Sequence, residues 1–381
     1  MSVEQSHLER RLLTPGPKRI LALDGGGVGA MLTAGLLVSV EAQLARLSGR
    51  AGFRLCDYFD LIGASSTGAF LAAGLAMGGS AAQVAELFRQ AAARALLPDQ
   101  RLGAPRFDAA RLEGFLAEAL GDVEMPARDL RTGLAIFAKP IDAPAFALSS
   151  KPAPPGGEPG ALVRNAIHAS LGGPSFAETA HIALDAYGSM EARFIDASSG
   201  GLANPALALL KFATLGGRGF DWHTGPDRIL MLSVGAGYGP PRQSGDPQTL
   251  ALGACIRDGG QDVIATMQSL ANVARPWRVD GDDAPGLPLS PVPLLHFQRM
   301  DARLDQDAEY LAGTTEAPAL ERLFEIGKTA GRAYFEPEPG ERRRRRWERA
   351  IFPRRFDLHG FTGGPQAPPR NKLEALGRWG A

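Results

Sequence analysis

Three short stretches hold residues whose types and spacing fit acyl-transfer chemistry. The first, RILALDGGGVGAML (residues 19–32), passes from an apolar run through Asp24 into Gly25, Gly26 and Gly27 and then a helical pattern. Adjacent glycines strip the backbone of side-chain cover at a helix start, where bare amides attract negative charge. In the second, IGASSTGAF, Ser66 stands between an apolar run and a helix of small residues, with Ala64 two places before it and Gly68 two places after. That is the arrangement of a nucleophile elbow, a sharp strand-to-helix turn that exposes a serine hydroxyl and needs small neighbours; its usual pattern has glycine where Ala64 stands. A plain helix N-cap at Ser65 or Ser66 fits the same residues. The third, ARFIDASSGGLANPAL, ends an apolar run at Asp196 and enters a loop of small residues. A partly desolvated carboxylate there can take a serine proton, and it can equally cap a turn.

The glycine loop admits three kinds of ligand. Aligned as G-x-G-x-x-A, Gly25, Gly27 and Ala30 resemble a dinucleotide fingerprint. That reading needs an acidic residue about 20 positions on at a strand end. The nearest, Glu41, lies inside a helical pattern, and Asp24 puts a carboxylate where a pyrophosphate would sit. A P-loop is excluded because no G-K-[ST] follows. The third ligand is the oxyanion of a reacting ester. Both loops follow apolar strands and open helices, so in a parallel sheet they share the carboxyl-terminal edge. Amide donors beside a nucleophile are what acyl transfer requires. His7, His168, His181, His223, His296 and His359 sit in no catalytic motif, and among the carboxylates Asp196 stands out as a candidate base for Ser66.

The elements that position these residues alternate. Strand-like runs at RILALD (19–24), YFDLIGA (58–64), TGLAIFAKP, EARFID and RILMLSVGAG (228–237) are separated by helical patterns such as Ala30 to Leu47 and NPALALLKFATL. Such alternation predicts an α/β fold, a mostly parallel sheet with helices on both faces. Residues 1–17 read as an N-terminal arm and 18–239 as the core. Residues 240–381 read as a helix-rich C-terminal extension packed on it, with Pro-rich links, a basic segment and a tail.

Composition sets the remaining bounds. The 41 basic residues balance the 41 acidic ones, which gives no global attraction for nucleic acid. Cys56 and Cys255 have no metal-ligand spacing and read as reduced thiols of a cytoplasmic protein. The first eighteen residues lack a signal-peptide core, and no apolar run reads as a membrane span. Peripheral membrane contact stays open. In ERRRRRWERAIFPRRF (341–356), Arg342, Arg343, Arg344, Arg345 and Arg346 precede Trp347, Ile351, Phe352 and Phe356. That mixture suits an anionic membrane surface, and also a solvated helix face or a partner contact.

Five ordered stretches between residues 18 and 240 resemble the patatin-like phospholipases: DGGGVGA, FDLIGASSTGA, HASLGGPSF, FIDASSGGLANPAL and RILMLSVGAG. The resemblance implies a three-layer α/β/α fold and a cofactor-free serine acyl hydrolase acting on fatty-acyl esters of lipids. It implies Ser66 as nucleophile, Asp196 as base, and the amides of Gly25, Gly26 and Gly27 as oxyanion donors. Three positions depart from the family pattern: Gly29 where arginine or lysine is usual, Ala64 in the elbow, and Ala197 after the aspartate. The alternative is a weakly active or inactive patatin-like scaffold that binds a lipid or a partner.

Overall fold

The computed structural model describes residues 7–357 except 51, 97–106, 126–128, 152–159, 173–179, 186–190, 218, 241–246, 275, 278–290, 305–310, 312–313 and 337–350. Nine strands form one sheet: β1 (Lys18–Leu23), β2 (Leu61–Ser65), β3 (Gly133–Pro140), β4 (Phe146–Ser149), β5 (Ala180–Ala183), β6 (Glu191–Ile195), β7 (Ile229–Val234), β8 (Ala271–Val273) and β9 (Leu295–Met300). Their order is β5-β6-β3-β2-β1-β7-β9-β8, with β4 also on β3. From β3 to β8 every pairing is parallel, while β4, β5 and β6 pair antiparallel. The mostly parallel sheet expected from the alternation is therefore present, and β1, β2, β7 and β9 are buried at every position.

Ten α-helices accompany it among the described residues: α1 (His7–Leu13), α2 (Ala30–Ser48), α3 (Leu55–Tyr58), α4 (Gly68–Ala76), α5 (Ala81–Arg94), α6 (Ala109–Leu120), α7 (Val163–Leu171), α8 (Ala206–Thr214), α9 (Pro247–Ser269) and α10 (Ala317–Tyr334). The stretch from Gly27 to Ser48 is long and apolar enough to cross a membrane by length and composition, a signal the sequence reading passed over. Most of it is buried inside the fold, where α2 packs against α5, α10 and β7. A helix covered on several sides must be apolar on several sides. Its crossing with α10 is close: a Cβ on Gly35 would stand 2.1 Å from the Phe324 carbonyl oxygen, and one on Gly327 2.0 Å from that of Leu32.

Three boundaries look different in three dimensions. The N-terminal arm is docked, with Leu8 and Leu12 buried and Arg11 Nε donating to Asp60 Oδ1 at 3.1 Å. The sheet continues beyond residue 239, because β9 lies between β7 and β8. β9 escapes a periodicity search because His296, Gln298 and Arg299 interrupt its apolar residues, yet all six positions are buried. Finally, Arg342 to Trp347 lie outside the described residues, whereas Ile351, Phe352 and Phe356 are buried in the core. These three apolar side chains are part of the core.

Candidate active site

Ser66 follows β2 directly and has φ = +50°, a conformation that only one other described non-glycine residue, Asp221, shares. Positive φ strains an L-residue, and the surroundings must hold it there. Ser66 N–H donates to Ser170 Oγ at 2.7 Å, and Ser170 Oγ–H donates in turn to the Phe137 carbonyl at 2.6 Å. On the far side of the turn, a Cβ on Gly68 would lie 2.6 Å from the Asp24 carbonyl oxygen, so glycine lets α4 begin against the end of β1. The elbow is thus built from β2, β3, α4 and α7.

Asp196 follows β6. Its Oδ2 accepts the Ser66 hydroxyl at 2.8 Å, and its Oδ1 accepts the Ser198 amide at 2.7 Å. Burial pushes its carboxyl up to about 6, against hydrogen bonds from Ser66, Ser198 and Ser199 that favour the ionised form. The Ala197 amide donates to the Ser170 carbonyl at 3.0 Å, so one α7 residue braces both the elbow and the aspartate loop. None of the histidines hydrogen-bonds Ser66 among the described residues; His168 is buried in α7, and His181 faces Glu191 at 3.8 Å on the surface.

The glycine loop stands beside them. A Cβ on Gly25 would meet Ser66 Cβ at 2.8 Å and Ser198 Oγ at 2.1 Å. The Gly25 amide, counted among the donors above, is engaged: it donates to the Ala203 carbonyl at 3.0 Å. Gly26 N–H approaches Thr67 Oγ1 at only 3.4 Å. The amides of Gly27 and Val28 make no hydrogen bond to a described residue, and Gly27 is held at φ = +57°. Gly26 and Gly27 are exposed, so the usable donors lie later in the loop than the glycine run implies. Glu41 accepts the Leu55 and Ala81 amides at 3.3 and 3.2 Å, which ties three helices together and leaves it no ribose to bind.

The model of the patatin-like phospholipase family matches residues 21–210. The chain belongs to the patatin-like phospholipase family. It is 39% identical over 104 residues to a cGAMP-activated phospholipase of Vibrio cholerae, a stretch covering 27% of each chain. It is 32% identical over 146 residues to a cGAMP-activated phospholipase of Escherichia coli, covering 34% of this chain and 41% of that one. To Patatin-17 of Solanum cardiophyllum it is 29% identical over 113 residues, 28% of this chain and 29% of the relative. The matches thus span well under half the length of each of these relatives. Among solved structures, VipD from Legionella pneumophila aligns with a TM-score of 0.37 and 11% identity over 83% of this chain and 66% of that one.

Gly29 stands where the family resemblance implies arginine or lysine. Here a Cβ at position 29 would lie 2.3 Å from the Ala236 carbonyl oxygen, so the position is closed to side chains. A cation reaches the root of the loop from β9. Arg299 donates to both oxygens of Asp24, at 3.0 and 2.7 Å, to Ser233 Oγ at 2.7 Å and to Asp301 Oδ2 at 2.7 Å. Asp301 Oδ1 accepts the Gly237 amide at 2.9 Å. The loop of residues 235–237 forms the wall behind Gly26 and Gly29, so Arg299 secures both the root of the glycine loop and its support. Burial raises Asp24 to about 6 while Arg299 draws it down. Arg299 and Asp301 went unnoticed in the sequence because neither lies near a motif. An arginine inside an apolar strand run was the available signal.

Proposed function

We propose that this protein is a serine lipid acyl hydrolase of the phospholipase A or esterase type, with Ser66 as nucleophile and Asp196 as base. The observation that carries the reading is the 2.8 Å hydrogen bond from a strained elbow serine to a carboxylate whose pKa burial raises. Asp196 takes the Ser66 proton as Oγ attacks the ester carbonyl. The amides of Gly26, Gly27 and Val28, at the mouth of α2, receive the developing oxyanion. Protonated Asp196 then delivers its proton to the leaving alcohol. In the second half, Asp196 takes a proton from water as the water attacks the acyl-enzyme, and returns it to Ser66 as the ester bond breaks. No step calls for a cofactor.

The test is hydrolysis of p-nitrophenyl esters and phospholipid vesicles, with fluorophosphonate labelling, by wild type and Ser66→Ala. Labelling and turnover that both vanish in Ser66→Ala support the proposal; a Ser66→Ala protein that hydrolyses esters at the wild-type rate ends it. A folded wild type that neither labels nor turns over supports the scaffold alternative.

Ser66 is only 2% exposed, which favours a second element: low basal turnover until the site opens. Two of the bacterial relatives are named as cGAMP-activated, so the same assays with and without cGAMP form a further arm. Activation by cGAMP would extend the proposal, and equal rates would remove this second element alone. Anionic vesicles with and without salt test peripheral membrane contact through Arg342 to Trp347.

A further inference from the structure

The loop after Asp196 carries a hydroxyl that the mechanism above leaves unused. Ser198 is 8% exposed, and its Oγ has no hydrogen-bond partner among the described residues. A buried hydroxyl without a partner costs free energy, and the simplest packing for this position would omit it. Its place is well defined. The Ser198 amide holds Asp196 Oδ1 at 2.7 Å, and the hydroxyl stands against Gly25, on the side of that glycine that also faces Ser66 Cβ. Ser198 Oγ also lies near enough to the Asp196 carboxyl to help keep it ionised. Four groups therefore surround one carboxylate: the Ser66 hydroxyl, the Ser198 and Ser199 amides and the Ser198 hydroxyl. Three already donate to it. The fourth is held beside it without a well-formed hydrogen bond.

The chemistry of the proposed hydrolase gives that donor a purpose. In the free enzyme Ser66 Oγ–H occupies Asp196 Oδ2. Once Ser66 is acylated its oxygen carries no hydrogen, and Asp196 loses that bond when it must be ionised to receive a proton from water. We propose that Ser198 is a positioning residue for deacylation, its hydroxyl turning onto Asp196 to replace the donor that acylation removes. In that step water attacks the acyl carbonyl carbon and gives one proton to Asp196. The bond from that carbon to Ser66 Oγ then breaks, Asp196 returns the proton to Oγ, and the carboxylic acid leaves.

This inference rests on the Ser66 and Asp196 reading, and the experiment separates the two. Ser198→Ala and Ser198→Gly are compared with wild type and Ser66→Ala by burst kinetics on p-nitrophenyl esters, fluorophosphonate labelling and thermal melting. The expected result is an unchanged melting temperature, burst and labelling rates within about twofold, and steady-state deacylation slowed about tenfold at pH 5. The pH midpoint of deacylation should move up by about one unit, which is that tenfold change expressed as a proton affinity. Equal losses in both phases, or no change in either, overturn the role of Ser198. If Ser66→Ala retains wild-type activity, the underlying catalytic reading fails instead.

Discussion

Gly25 presses on Ser66 closely enough that a methyl group at position 25 would sit 2.8 Å from the serine Cβ. The first glycine of the run therefore serves as a spacer against the nucleophile, while its amide is tied to Ala203. Gly25→Ala should abolish ester hydrolysis and fluorophosphonate labelling while circular dichroism shows the fold retained. Gly27→Ala meets no atom within 4 Å, but forces an L-residue to φ = +57°. It should slow turnover more than it weakens substrate binding, read as a fall in kcat at near-constant KM.

Asp196 links activity to pH. As the base it must be ionised, so kcat/KM should rise about tenfold per pH unit below about 6 and level off above it. The stability contribution has the opposite trend. A carboxyl at about 6 in the fold and 3.8 in the unfolded chain holds its proton more tightly when folded. Its contribution is fully present below pH 4 and is lost as pH rises through 6. Asp196→Asn should therefore be inactive yet melt higher than wild type at pH 8, with the gap closing toward pH 4.

Arg299 lies between two buried carboxylates. Arg299→Met leaves Asp24 and Asp301 without their cation, and breaking a buried pair in this way costs about 3–5 kcal/mol. Urea unfolding at pH 8 should show that loss. It should be smaller at pH 5, where Asp24, already raised to about 6, is protonated.

Two helix glycines should respond oppositely to alanine. Gly114 in α6 has open space around it, so Gly114→Ala should stabilise the protein by about 0.5–1 kcal/mol through helix propensity. Gly327 faces the Leu32 carbonyl across the α2–α10 crossing, so Gly327→Ala should destabilise by about 1–3 kcal/mol. Differential scanning calorimetry of the pair checks both signs.

What could be read along the chain were features set by neighbouring residues. An apolar run broken by small residues marks a strand-to-helix turn, and the turns at Asp24–Gly27, Ser65–Gly68 and Asp196–Gly201 were legible for that reason. The alternation of periods likewise announced a parallel sheet. Strand order then decided the rest. Arg299 reaches Asp24 because β9 pairs with β7 at Ser233 and β7 pairs with β1 up to Leu23, an adjacency that no local pattern carries. The engagement of the Gly25 amide by Ala203 has the same origin, as does the burial of Ile351, Phe352 and Phe356 behind a charged run. Short-range sterics write themselves into residue types at fixed spacing. Which buried charge meets which amide depends on how distant segments are stacked, and only the folded chain settles that.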